Sequence, residues 1–108
     1  MSEDPTIADY GDRKSALRKQ VAHAGPDAHA VFAADKVTKT RELRAQAARG
    51  GETLASSALQ RRLEHYENSL RMLQREAPDL PLVSQLAFEL WAMRTLPPRA
   101  ARSAVAAV

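Results

Sequence analysis

The segment Val31-Phe32-Ala33-Ala34-Asp35-Lys36-Val37 sets a carboxylate among apolar side chains. At the helical spacing of about 100° per residue, Asp35 projects between Val31 and Phe32 and is expected on their apolar face. A carboxylate there costs free energy unless something positive meets it. Three things would serve: an arginine, the end of another helix, or a metal ion. The first two are structural and only the third opens a route to catalysis. His29 lies six residues before Asp35, about 120° off a common helical face, so the two are not expected to share an ion. His23 and His29 are expected to be ordinary surface or turn residues. Asp35, Lys39 and Glu42 follow one another at steps of four and three. The plain reading is a set of helical charge pairs on a partly solvated face. The sequence holds no phosphate-cradling glycine loop, nucleophile elbow or HExxH helix. It also has no cysteine, which excludes disulfides, thiolate metal sites and cysteine nucleophiles.

The elements that must position these residues are helices. A leader is expected over residues 1–11, a helical domain over 12–96 and a small-residue tail over 97–108. The first helix is expected from Asp12, as its cap, to Ala24, stopped by Gly25-Pro26. The second starts at Pro26, a residue suited to the first turn, and ends at Gly50-Gly51. A third runs from about Thr53 to Glu76, carrying Leu59, Leu63, Tyr66, Leu70 and Leu73 at alternating steps of four and three. A fourth runs from about Leu82 to Leu96. Its apolar residues Leu82, Val83, Leu86, Phe88, Leu90, Trp91, Met93 and Leu96 spread round most of its circumference. Two placements satisfy such a helix: the centre of the bundle, or a face turned to a partner.

Composition sets wider bounds. The chain has 108 residues, enough for one small domain, and a hydrophobic fraction of 44% in which alanine is prominent. Few glycines and no β-branched run argue against a sheet, so the expected class is an all-α bundle of about four helices. The formal net charge of +3 is compatible with anionic partners. However, Lys36, Lys39, Arg41, Arg44 and Arg49 lie all round the second helix, with no aromatic pattern among them, so nucleic-acid binding is not expected. The acidic Met-Ser-Glu-Asp-Pro start is no secretory signal. No apolar run reaches the roughly 18 residues that span a bilayer. A cytoplasmic location without a membrane partner is the default expectation.

Ala34-Asp35-Lys36 followed by Thr40-Arg41-Glu42-Leu43-Arg44 resembles the last motif of HD-domain phosphohydrolases, in the branch that hydrolyses guanosine polyphosphates. Relatives there carry an Ala-Asp-Lys or Ala-Asp-Arg triplet on a helix, then an Asn-Leu-Arg segment. Arg13-Lys14 and the stretch ending Gly25-Pro26-Asp27 precede the triplet much as in relatives, and Arg62-Leu63-Glu64-His65-Tyr66 is similar to the closing helices. The likeness covers about residues 12–96 and implies the C-terminal part of an HD domain, with Asp35 as a metal ligand. The family's upstream histidine and His-Asp ligands have no counterpart here. The histidines are His23, His29 and His65, no His-Asp dipeptide occurs, and Lys39 replaces the asparagine that contacts substrate.

The resemblance therefore implies a truncated or split phosphohydrolase, incomplete as a single chain. A divalent ion, Mn2+ by preference, and a nucleotide substrate are expected only if a complementary polypeptide supplies the missing half. The competing reading is a non-catalytic helical interaction module or a homodimer.

Overall fold

The structure, a computed structural model, describes residues 9–49 and 56–95. They form four helices: α1 (Tyr10–Ala22), α2 (Pro26–Ala48), α3 (Ser57–Glu76) and α4 (Pro81–Thr95). No strand occurs among the described residues, so the fold is the all-α bundle the composition predicts.

Local chemistry fixes the helix ends. Asp9, not Asp12, caps α1: it holds an extended backbone, and its carboxylate accepts from the Asp12 N–H at 2.9 Å. Asp12 becomes a first-turn residue, favourable to the helix dipole. Tyr10 and Gly11, expected in the leader, are helical. Gly25 precedes α2 at φ +97°, a conformation a side chain resists, and Pro26 then starts the helix. The Ser56 hydroxyl accepts from the Leu59 N–H and starts α3. The start expected at Thr53, the end expected at Leu96 and the tail over 97–108 lie outside the described residues.

The central pair is α2 and α3. α1 packs on α3 and α2, α4 packs chiefly on α2 and also on α3, and α1 and α4 do not meet. The core joins Leu17 and Val21 of α1, Phe32, Ala33, Val37 and Leu43 of α2, and Leu59, Leu63, Tyr66 and Leu73 of α3. Val83, Leu86, Leu90 and Met93 complete it from α4. Of the expected α3 stripe only Leu70 is half-buried. α4 is a flank helix, not a central one. It buries Leu86 and Leu90 but leaves Phe88 54% and Trp91 52% exposed.

Two ion-pair ties hold α4 in place. Glu89, buried, accepts from Arg41 Nε at 3.1 Å and Arg44 Nη1 at 2.5 Å on α2. Arg94 forks onto Glu67 of α3, with Nη2 at 3.0 Å from Oε2. The buried hydroxyls of Thr40 and Ser69 donate to the Lys36 and His65 carbonyls four residues back, which satisfies them without a tertiary partner.

Candidate functional site around Asp35 and His65

Asp35 lies on the open side of α2. Its helical neighbours Val31 and Phe32 part company: Val31 is 59% exposed and Phe32 is in the core. The seam between core and solvent runs between them, and Asp35 follows Val31, with its side chain 45% exposed. The expected apolar face is thus only half covered, and the carboxylate is not sealed within it. Instead Oδ2 accepts from Lys36 Nζ at 2.8 Å, and Lys39 Nζ stands 4.0 Å from Oδ1, one turn on. The i, i+4 pairing expected of Asp35 and Lys39 is present; Glu42 is exposed.

The cation beside it is the unexpected feature. Lys36 is buried, its ammonium 4.4 Å from the Phe32 ring centroid and 5.8 Å from that of Tyr66. Burial lowers its pKa, and the Asp35 hydrogen bond works the other way. The aromatic faces offer partial compensation for lost water. Burial likewise pushes the Tyr66 phenol up to about 12.

His65 lies next to this lysine, 3% exposed, its ring edge-on to Phe32 at 6.3 Å. Arg18 Nη1 of α1 is 2.7 Å from Nδ1. A guanidinium only donates, so Nδ1 accepts and the ring hydrogen sits on Nε2. That Nε2 is buried without a hydrogen-bond partner. Burial first, then the charges of Lys36, Arg18, Lys14 and Lys39, push the His65 pKa down to about 3. The imidazole is therefore neutral and shut off from solvent, a joint between α1, α2 and α3 and not an exchangeable acid or base.

Of the other histidines, His23 is exposed at the end of α1, as expected. His29 is buried, contrary to expectation, and its Nε2 lies 3.2 Å from the Ala22 carbonyl. It ties α2 to the end of α1 because the short Gly25 turn brings it under that terminus. Sequence reasoning also passed over Arg18, Lys36, His65 and Glu89. A signal existed for His65: with Ser69 and Met72 it makes a second line at steps of four and three, beside the leucine stripe.

Among the described residues, no three of His, Cys, Asp and Glu gather where they could hold one ion. Asp35 alone, paired with two ammonium groups, does not make a metal centre. No helix among the described residues is long and apolar enough to cross a membrane. Comparison with protein families, curated proteins and solved structures finds no match for the chain.

Proposed function

We propose that the chain is the C-terminal part of an HD-type phosphohydrolase, of the guanosine polyphosphate 3'-pyrophosphohydrolase kind, that acts only with a complementary polypeptide. The open face of α2 carries this reading. Val31, 59% exposed, and Asp35 share a side of a helix whose other side forms the core. A second layer of protein laid on this face would cover Val31 and meet Asp35 together.

In the assembled protein Asp35 is one metal ligand, and the partner supplies the histidine and the His-Asp pair. The residues present here do not hold a metal by themselves, so no catalytic step is assigned to this chain alone. A divalent ion, Mn2+ by preference, and a nucleotide substrate belong to the assembly. Asp35 is accessible for this role because its side chain is 45% exposed even with Lys36 and Lys39 beside it.

A second reading, a non-catalytic helical interaction module, is favoured by that same pairing: Asp35 already neutralises a buried ammonium. One experiment separates the two. The full chain is mixed with a polypeptide carrying the upstream histidine and His-Asp motifs, Mn2+ is added, and pyrophosphate release from a guanosine polyphosphate is measured. Turnover is expected only in the mixture and is lost in Asp35→Asn. Turnover unchanged by Asp35→Asn would remove Asp35 from the metal site, and association without turnover would favour the second reading.

A further inference from the structure

α4 presents two large aromatics to solvent on a helix that is otherwise well packed. Phe88 and Trp91 are 54% and 52% exposed, and their ring centroids are 5.9 Å apart. They stand three residues apart and so share one face. Beside them runs a groove of about 410 Å³ between α3 and α4. Leu70, Ala87, Leu90 and Trp91 line it, and so do the exposed Arg71 and Arg94. The Asp35 motif does not use this face.

The charges round the groove select its occupant. Glu67 is the one acid among the lining residues, and Arg94 already holds it through Nη2–Oε2 at 3.0 Å. Arg71 donates to the Asn68 side-chain oxygen, a neutral acceptor. Two cations stand against one carboxylate, so the rim is net positive. In a symmetric pairing through this groove the same patch would face itself, setting cationic rim against cationic rim. A second copy is therefore disfavoured. A groove between two helices takes a third helix laid along it, with apolar anchors at i and i+3 or i+4.

We infer that the α3–α4 groove and the Phe88–Trp91 face dock an amphipathic helix of another protein, one whose apolar anchors are flanked by acidic residues. The anchor fills the slot over Leu70 and Leu90, Trp91 closes over it, and the flanking carboxylates meet Arg71 and Arg94. This docking is independent of Asp35.

Trp91 is the only tryptophan in the chain, so its emission reports the groove directly. The probe is a synthetic helical peptide with leucines at i and i+4 flanked by glutamates, titrated into the full-length protein. Its control has lysines in place of the glutamates. A saturable blue shift with the acidic peptide is expected, with binding at least about tenfold weaker for the lysine peptide. Arg71→Glu should erase that preference, and Asp35→Asn should leave it intact. Four outcomes overturn the inference. No shift with the acidic peptide does so, as do equal shifts with both peptides. Emission already blue-shifted in a monomer without peptide means the chain covers its own groove. A concentration-dependent blue shift with sedimentation as a dimer makes the occupant a second copy.

Discussion

The two ends of the Asp35–Lys36 ion pair stand in different solvents. The Lys36 side chain is 6% exposed and that of Asp35 45%. Deleting the carboxylate strands a buried ammonium, while deleting the ammonium leaves a carboxylate that water and Lys39 still serve. Asp35→Ala should therefore destabilise the fold by about 1–2 kcal/mol, below the about 3–5 kcal/mol of a fully buried pair. Lys36→Met should stay within about 1 kcal/mol of the parent, because a matching apolar side chain replaces a costly charge. Denaturant melts of both variants check the asymmetry; equal losses would mean the ammonium is better solvated than its burial implies. His65 gives the pH dependence. Its folded pKa, about 3, lies below the ordinary 6.5, so between these values the unfolded chain binds the extra proton. Stability from this group is complete above pH 6.5 and is lost as pH falls towards 3. His65→Gln keeps an acceptor for Arg18 but does not titrate, so its melting temperature should fall less than the parent's between neutral and mild acid. The direction in which Asp35 projects was legible from helical geometry. Its exposure was not, because burial depends on which neighbouring helices cover a face. Lys36 reads as one more surface cation until Tyr66, thirty positions on, closes over it.

At the scale of the element, α3 and α4 show opposite degrees of legibility. The α3 leucines repeat in one stripe, and Leu59, Leu63 and Leu73 are fully buried. Along α4 the apolar residues go all round, and periodicity cannot say which side faces the core. Contacts with α2 and α3 decide it, and they leave Trp91 outside. Leu86→Ala should cost about 2–5 kcal/mol, as a fully buried leucine does. Trp91→Ala should change the melting temperature little, although a tryptophan in the core would cost about 3–5 kcal/mol. Glu89 was the less visible element of α4: an acid in an apolar run, matched by Arg41 and Arg44 one turn apart on α2. Glu89→Ala should cost about 1–3 kcal/mol by leaving those charge-assisted bonds unmade. Glu89→Gln should restore part of that loss, because an amide oxygen still accepts from the guanidinium groups. The caps were legible in kind but not in place. Both Asp9 and Asp12 suit a helix start, and only the extended backbone at Asp9 chooses between them.

Across the whole molecule, each flank helix depends on the α2–α3 pair and neither depends on the other. α1 contributes two buried core residues, Leu17 and Val21, and its link through Arg18 to His65 holds only while the imidazole stays neutral. α4 contributes more core and carries ties that need no histidine. The bundle should therefore open in parts, not all at once. Backbone amides of α1 should exchange with solvent deuterium through a local detachment far cheaper than global unfolding, while those of α3 exchange only with the whole fold. Because detachment uncovers His65 to protons, mild acid should deepen protection differences between the flanks. Corrected for intrinsic rates, α1 loses protection below pH 6.5, and α4 keeps its own until the central pair gives way.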